Sequence, residues 1–386
     1  MKSSKRILPI IIISQFFCTS LWFAGNGVMD NLVLDFQLNE NALGHLTSIV
    51  QFGFIFGTLI FAFFTIVDRF SPSKVFFMSA LLGALFNLGV IWEGNDLTTL
   101  LIFRFLTGFF LAGIYPVGMK IAADYYDKGL GKSLGFLVGA LVLGTAFPHL
   151  LKDITSDIPW EYVLISTSAL ATFGGLMIVL FVPNGPFRKP SQQFDVKVFF
   201  KVFQNQKLRS AAFGYFGHMW ELYAFWTFVP VILVSYAESQ SLTHLNISLL
   251  SFLIIGIGFV SCSAGGILSQ RIGAKKVATF SLALSGLCCL AFPFVFTINS
   301  EIIFISFLIF WGMVVIADSP MFSTLVAHSA DPEIKGTALT LVNSIGFAIS
   351  IVSIQLLTLL IEIDSAFIYM ILVLGPIFGF ISLRRK

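Results

Sequence analysis

Two ionisable residues, His218 and Glu221, lie near the middle of an otherwise apolar segment that runs from Ala211 to Tyr236. The segment begins beside Lys207, so Glu221 would lie about 18 Å into a helix that rises ~1.5 Å per residue. That depth is near the centre of a hydrocarbon layer ~30 Å thick. A charge there costs roughly 2.5 to 3.5 kcal/mol, and ionisable residues inside membrane segments are functional by default. We therefore expect Glu221 to take part in binding a solute or a proton.

The spacing of His218 and Glu221 predicts that they share one helix face, because residues three apart on a helix are neighbours. A buried carboxyl beside an imidazole could bind and release protons during a transport cycle. The alternative is structural: Glu221 permanently paired with a cation or a hydroxyl to hold helices together, and His218 as a hydrogen-bonded packing residue.

Three more charged residues lie inside apolar segments. Arg104 would lie roughly 10 Å deep, where its fork of donors suits an anionic substrate or a carboxylate partner. Lys120 is nearer a membrane surface and would either contact substrate or extend to the interface. Asp318, beside Ser319-Pro320, would either relay protons or satisfy backbone groups that Pro320 frees. Neutral candidates for a cavity lining are Trp22, Gln51 and Asn343.

The composition identifies an integral membrane protein. Of the 386 residues, 57% are hydrophobic and only 11% are charged, against roughly 25% charged in soluble domains. The sequence has no paired nucleophile and base and no cluster of metal-ligand residues, which argues against an enzyme. We expect no cofactor, no metal and no nucleic-acid partner.

Apolar segments of spanning length recur along the chain and predict an all-α polytopic protein of twelve transmembrane helices. The predicted spans 1 to 12 are residues 7–35, 42–67, 75–92, 97–123, 132–151, 160–182, 210–236, 245–269, 277–298, 301–328, 336–361 and 366–383. This arrangement predicts two pseudo-symmetric halves of six spans, residues 1–182 and 209–386, joined by a polar linker, residues 183–208. Within the linker, residues 194–203 could form an amphipathic surface helix.

The placement of charges supports the count of twelve, because positive residues collect on the cytoplasmic side of membrane proteins. With a cytoplasmic N-terminus, all but three of the 23 basic residues fall in cytoplasmic loops or tails. The exceptions are Arg104, Lys120 and Lys152. Acidic residues mark the opposite side, among them Asp35, Glu40, Glu93, Asp96, Asp153, Asp157, Glu161, Glu238, Glu301, Glu362 and Asp364. Both termini are therefore expected in the cytoplasm, with a bacterial inner membrane as the location.

An internal duplication relates the two halves. The loop VDRFSPSKV, residues 67–75, aligns with SQRIGAKKV, residues 269–277, at an offset of 202 residues. Tyr115-Pro116 in span 4 likewise corresponds to Ser319-Pro320 in span 10. Two parallel halves with a binding site between them are a transporter architecture.

These motifs resemble those of the major facilitator superfamily, and the resemblance covers essentially the whole chain. The sequence GGILSQRIGAKK, residues 265–276, is similar to the family's cytoplasmic loop signature, with Gln270 in place of its acidic residue. Arg104-Phe-Leu-Thr-Gly108 resembles the family's R-x-x-x-G motif, whose arginine is associated with proton coupling. The resemblance implies that spans 3, 6, 9 and 12 are peripheral, and none of these spans contains a charged residue or histidine in its interior. It also implies that the cytoplasmic gate loops contain Asp68, Arg69, Lys74, Arg271, Gly273 and Lys276.

Within that family, the runs RFLTGFFLAGIYPVGMK and SLLSFLIIGIGFV look most like the cyanate and nitrate/nitrite permease-like branch. Nitrate carriers bind their anion with arginines in spans 2 and 8, and neither span contains one here. Span 5 contains Gly135, Gly139, Gly144 and Pro148, similar to the glycine-proline motif of exporters but without the Gly-Pro pair.

The sequence therefore predicts a secondary active transporter, in the lipid bilayer, that moves a small solute by alternating access. Arg104 and Lys120 favour an anionic solute, and Glu221 favours proton coupling. We expect Glu221 of span 7 to face span 1 and the central cavity, where Arg104 of the first half could be its partner. We expect a monomer. The alternatives are an efflux transporter of amphipathic compounds, consistent with the many phenylalanines, and a non-transporting membrane sensor.

Overall fold

A computed structural model describes residues 4–39, 41–125, 130–188, 203–331, 334–363 and 365–384. Several charges used in the topology prediction fall outside these ranges, as does most of the predicted amphipathic helix of residues 194–203. These charges are Lys2, Glu40, Lys128, Lys189, Lys197, Lys201, Asp364, Arg385 and Lys386.

The described part of the chain is helical, and its helices follow the twelve predicted spans. Eleven segments are long and apolar enough to cross a membrane, and span 1 adds the shorter apolar helix Arg6–Thr19. The first half contains Ser4–Thr19 and Met29–Asp35 (span 1), Ala42–Phe63 (span 2), Pro72–Gly89 (span 3), Leu97–Leu111 and Tyr115–Tyr125 (span 4), Leu130–Ile154 (span 5) and Glu161–Phe181 (span 6). The second half contains Gln206–Ser239 (span 7), Ile247–Gly256 and Gly258–Ile272 (span 8), Ala274–Phe296 (span 9), Glu301–Val314 and Ser319–Ser329 (span 10), Lys335–Leu360 (span 11), and Ala366–Val373 with Leu374–Arg384 (span 12).

Spans 1, 4 and 10 are each interrupted by several residues outside a regular helix, whereas span 8 is divided only at Ile257. The sequence analysis treated each span as one segment and did not predict these interruptions. In spans 4 and 10 the second helix begins beside a proline, Pro116 or Pro320. Proline lacks a backbone N–H and fits the first turn of a helix, so it permits a new helix to start there. The two prolines lie 204 positions apart, so the break is a property of both halves.

The same offset relates two close helix contacts, one in each half. Gly108 of span 4 lies against the carbonyl of Val50 in span 2, and Gly312 of span 10 lies against the carbonyl of Ile254 in span 8. Each member of the second pair is 204 positions beyond its counterpart. A Cβ at either glycine would overlap the carbonyl, so glycine permits the close approach that small residues give membrane helices.

The two halves meet along spans 5 and 8 and along spans 2 and 11. Gly135 and Gly139 of span 5 pack on Cys262 and Phe259 of span 8. Span 2 is joined to span 11 by polar side chains, because Gln355 donates from Nε2 to the Ser48 hydroxyl at 2.8 Å and to the Gly44 carbonyl at 3.0 Å.

Below, the end of the bundle that carries Arg69, Lys74, Arg271 and Lys276 is called the basic end. The end that carries Asp96, Asp153 and Glu301 is called the acidic end.

Candidate functional site

A histidine–aspartate pair lies at the break in span 10. His218 Nδ1 of span 7 is 2.8 Å from Asp318 Oδ1, and each side chain is only 1% exposed. Asp318 is the N-cap residue of Ser319–Ser329, yet its side chain makes no hydrogen bond to that helix. The carboxylate therefore faces the imidazole of the neighbouring span instead of capping its own helix.

Both members of the pair keep unused hydrogen-bonding capacity. Both carboxylate oxygens of Asp318 and the Nε2 of His218 are buried and make no hydrogen bond among the described residues, because the 2.8 Å contact between Nδ1 and Oδ1 lacks hydrogen-bond geometry. The rings of Tyr215 and Phe322 flank the imidazole, each with its centroid 5.9 Å away. A buried polar group without a partner costs about 1–3 kcal/mol, so this pair is suited to binding something in another state of the protein.

Glu221 also faces span 10, as its three-residue spacing from His218 predicts. Its Oε1 accepts from Trp311 Nε1 at 2.7 Å and from Cys289 Sγ at 3.3 Å, and its Oε2 accepts from Ser285 Oγ at 2.8 Å. Those donors belong to spans 9 and 10 of the same half. The expectation that Glu221 faces span 1 across a central cavity is therefore wrong, because its oxygens are taken up inside the second half.

Arg104 is held inside the first half in a similar way. Its Nη1 donates to the Leu21 carbonyl and to Asn87 Oδ1, both at 3.2 Å, and its Nη2 donates to the Trp22 carbonyl at 2.5 Å. Leu21 and Trp22 follow the end of the first helix of span 1 at Thr19, so their carbonyls lie outside a regular helix. Arg104 thus satisfies the backbone that the break in span 1 leaves exposed. The suggested partnership of Arg104 with Glu221 is not formed.

The hydrogen-bonding partners of Arg104 and of Glu221 form two cages, and these cages occupy equivalent places in the two halves. Asn87 of span 3, which accepts from Arg104, lies 202 positions before Cys289 of span 9, which donates to Glu221. Each cage joins the first, third and fourth spans of its half. One is built around a cation and the other around a carboxyl group.

A cluster of aromatic rings fills the centre of the bundle, where spans 1, 2, 7 and 11 meet. Trp22 stacks on Tyr223 and on Phe347, with ring centroids 5.8 and 5.5 Å apart and interplanar angles of 28° and 29°. Phe54 packs on Trp22 at 4.9 Å and on Phe347 at 4.7 Å. This aromatic cluster, defined by Trp22, Phe54, Tyr223 and Phe347, joins the two halves.

Two further predicted residues lie beside the aromatic cluster. Gln51, one turn from Phe54, accepts a hydrogen bond from Ser350 of span 11 at 2.7 Å and is fully buried. Asn343 is half-buried and one turn from Phe347, toward the basic end. Trp22 thus belongs to the aromatic cluster, Gln51 lies on its acidic side, and Asn343 and the His218–Asp318 pair lie on its basic side.

Lys120 lies apart from these residues, at the basic end. Its Nζ is 3.0 Å from Asp68 Oδ1 in the loop between spans 2 and 3. Arg188, just after span 6, donates from Nη2 to the carbonyls of Asp68 and Phe70 at 3.0 and 2.9 Å. Lys120 therefore stabilises the gate loop and does not extend toward the centre.

The equivalent loop of the second half is built without that ion pair. Gln270 and Thr324 stand 202 and 204 positions beyond Asp68 and Lys120, so both partners are neutral. Arg271 and Lys276 are exposed, as are Arg69 and Lys74 in the first half. Gly273 ends span 8 with φ of 90°, a left-handed conformation that favours glycine.

The residues that complete these sites had only weak signals in the sequence. Asn87 in span 3 is a polar residue in an apolar run, and that feature could have been used to find it. Ser285, Cys289 and Trp311 look like ordinary membrane-helix residues, and only the packing of spans 9 and 10 gives them a role. Tyr223 and Phe347 are two among many aromatic residues.

A family model described as Major Facilitator Superfamily matches residues 11–354. The chain belongs to the major facilitator superfamily. In fold it is similar to XylE, a proton:xylose symporter whose structure was solved with 6-bromo-6-deoxy-D-glucose bound. The TM-score is 0.72 at 14% identity, with 98% of this chain and 95% of that chain covered.

One relative is similar in sequence over part of its length. It is the niacin transporter NiaP of Acinetobacter baylyi, 30% identical over 181 residues, and the match covers 40% of each chain. The family and the fold together identify a multi-pass membrane transporter of small molecules, and not an enzyme.

Proposed function

We propose that this protein is a secondary active transporter that carries a small anionic solute together with a proton by alternating access. The observation that carries the proposal is the His218–Asp318 pair, which is buried at the break of span 10 with one ring nitrogen and both carboxylate oxygens outside any hydrogen bond among the described residues.

The charge of the pair depends on one proton. With the proton bound, an imidazolium beside a carboxylate has no net charge; after its release, the pair carries one negative charge. A net charge is costly in a dry interior, so the closed protein favours the loaded pair. Rocking of the halves that admits water to the break of span 10 would permit release. Alternating access then couples the proton to the conformational change.

Glu221 and Arg104 serve this mechanism as positioning residues. Glu221 fixes span 7 against spans 9 and 10. Arg104 fixes the broken backbone of span 1. Both breaks lie beside the centre of the bundle, so each charged cage sets the geometry of a helix that faces the solute.

An anionic solute is supported by the relatives and by charge balance. The partial match to a niacin transporter supports a small organic acid, and the resemblance to the cyanate and nitrate/nitrite permease-like branch supports a small anion. Carrying a proton with a monovalent anion moves no net charge through the low-dielectric centre.

The proposal also includes the orientation of the chain in the membrane and its oligomeric state. We place the halves at residues 1–182 and 209–386 with a cytoplasmic linker between them, both termini in the cytoplasm of a bacterium, and a monomer as the working unit. The excess of lysine and arginine at the basic end supports this orientation.

The proposal is tested with purified protein in liposomes loaded with a pH-sensitive dye. Nicotinate, nitrate, cyanate and acetate are added outside at equal pH, and internal acidification is recorded. Protein-free liposomes report passive entry of the acid forms. At least one anion should acidify wild-type vesicles faster than protein-free ones, and Asp318→Asn should abolish that difference. His244→Gln is the matched control, because His244 pairs with Glu301 at 2.8 Å but is 64% exposed. If the protein raises the rate of internal acidification for none of the four anions, the proposal is overturned.

Efflux of amphipathic compounds is the second candidate, and the aromatic cluster is the observation that favours it. A deletion strain with raised susceptibility to amphipathic drugs, restored by the wild-type gene, would support efflux over uptake.

A further inference from the structure

We infer that the aromatic cluster and three buried N–H donors beside it form the substrate site, and that the site takes a flat aromatic ring carrying a carboxylate. This inference rests on the proposed function as a transporter of a small anion and adds the class of anion and the residues that select it.

The cluster supplies a slot for a flat ring. Trp22 lies nearly parallel to both Tyr223 and Phe347, at interplanar angles of 28° and 29°. Trp22 belongs to the first half, whereas Tyr223 and Phe347 belong to the second. Any rocking that separates the halves moves Trp22 away from the other two rings and opens a flat gap. A planar ligand in that gap would stack in an offset manner on the separated rings and so take the place of their stacking on one another.

Three donors beside the slot lack acceptors. Trp22 Nε1, Trp226 Nε1 and Gln51 Nε2 are buried, and the described part of the chain offers none of them a hydrogen-bond partner. All three residues are 1% exposed or less. The Gln51 oxygen already accepts from Ser350 at 2.7 Å. What these side chains lack is therefore acceptors, and a carboxylate, with two acceptor oxygens, satisfies several donors at once.

The donors and the rings lie in adjacent layers. Trp226 is three residues beyond Tyr223 in span 7, which runs toward the acidic end. Gln51 is three residues before Phe54 in span 2, which runs toward the basic end. Both donors thus lie about one helical turn, ~5 Å, on the acidic side of the rings. A ring stacked on Trp22 would direct its carboxylate toward that side.

The charges around the cluster are consistent with a carboxylate on the acidic side of the rings. Arg104 is already committed to two backbone carbonyls and Asn87. His218 is five residues before Tyr223 in span 7, on the opposite, basic side of the rings. Binding a carboxylate on one side of the cluster and a proton on the other adds no net charge to the centre.

The arrangement selects against other solutes. A sugar presents donors as well as acceptors, and its donors would face further N–H groups. An aliphatic acid would use the donors but could not fill a flat slot between rings. An uncharged aromatic compound would fill the slot but leave buried donors unpaired, which weakens its binding.

Binding to the purified wild-type protein tests the inference without a transport step. The probes are benzoate, cyclohexanecarboxylate, which keeps the carboxylate on a ring that is not flat, and benzyl alcohol, which keeps the flat ring without the carboxylate. Affinities come from quenching of tryptophan fluorescence and from the shift of thermal unfolding. Benzoate should bind at least 10-fold more tightly than either analogue. Equal binding of cyclohexanecarboxylate would overturn the flat slot, and equal binding of benzyl alcohol would overturn the donor site.

Variants locate the site. Trp22→Phe and Trp226→Phe keep a ring and remove the N–H, and each should weaken benzoate at least 5-fold while changing benzyl alcohol little. Trp92→Phe is the control, because Trp92 is 58% exposed at the acidic end. Unchanged benzoate affinity in both Trp22→Phe and Trp226→Phe would overturn the assignment. If a variant is not monodisperse, the wild-type ranking of the three probes still decides the substrate class.

Failure here is distinguishable from failure of the proposed function. Proton entry driven by nitrate or acetate, with no benzoate binding, would overturn the substrate class and leave proton-coupled anion transport intact. Benzoate binding with the expected ranking, but without proton entry driven by any anion, would leave the site intact and overturn the coupling.

Discussion

Replacing Glu221 by leucine should destabilise the protein because it leaves a buried indole N–H without an acceptor. Of the three donors to Glu221, Ser285 already has a second acceptor in the Leu282 carbonyl at 3.2 Å, and the Cys289 thiol is a weak donor. The loss is therefore dominated by Trp311 Nε1, which donates at 2.7 Å. An unsatisfied donor of this kind costs about 1–3 kcal/mol.

A double-mutant cycle separates that cost from the cost of burying a carboxyl group. Trp311→Phe removes the N–H and keeps an aromatic ring, so adding it to Glu221→Leu should recover much of the lost stability. We expect a coupling energy of about 1–2 kcal/mol, compared with the ~0.3–0.5 kcal/mol within which independent sites add. The assay is denaturant-induced unfolding of wild type, both single variants and the double variant in one detergent. Additive losses would refute the claim that Glu221 is held by Trp311.

Three further predictions concern other parts of the bundle. Arg104→Lys should lower the midpoint of thermal unfolding markedly, because one ammonium cannot reproduce the fork that spans three acceptors; a midpoint equal to wild type would contradict the cage. Gly312→Ala should lower the free energy of unfolding by about 1–3 kcal/mol, because the added Cβ overlaps a carbonyl. Gly83→Ala is the control and should cost little, because its Cβ would lie 3.3 Å from a flexible leucine methyl. Equal losses of unfolding free energy in the two variants would count against the close helix contact. The Thr99 backbone N–H and hydroxyl lower the pKa of Asp96 from 3.8, so its capping contribution is fully present above pH 3.8 and is lost as pH falls through the lower, folded value; Asp96→Asn should remove that part of the acid dependence of unfolding.

The sequence was sufficient to predict the helices and their number. Basic and acidic loops alternate between the two ends of the bundle, and one span too many or too few would put every later loop at the wrong end. The charge pattern therefore tests the number of spans along the whole chain. The resemblance of the loops at residues 67–75 and 269–277 led to the correct family.

The sequence was not sufficient to predict which neighbour each buried charge faces. Glu221 is buried inside span 7, as the sequence predicts, but the donors that hold it come from spans 9 and 10, and only the packing of the second half brings them together. Arg104 was matched with Glu221 because their charges are opposite. Its actual acceptors are Asn87 Oδ1 and two backbone carbonyls that are available only because span 1 is interrupted, and that interruption contains no proline. Lys120 lies at the basic end, which agrees with the second of its two predicted alternatives, because its partner Asp68 lies in a loop that folds back onto span 4.

The His218–Asp318 pair was found only by combining the sequence with the structure. The two residues were singled out separately as buried ionisable groups, 100 residues apart in the chain. Their contact of 2.8 Å unites them into one site, and the break in span 10 explains why the carboxylate is free to face the imidazole.

The most direct test of the account is whether Asp318 is needed for an anion to bring a proton across the membrane. Vesicles containing wild type, Asp318→Asn or His244→Gln are given external nicotinate at equal pH, and internal acidification is followed alongside exchange of labelled nicotinate. The account predicts acidification above the protein-free rate in wild type and His244→Gln, and exchange without added acidification in Asp318→Asn. Acidification by Asp318→Asn at the wild-type rate would contradict it.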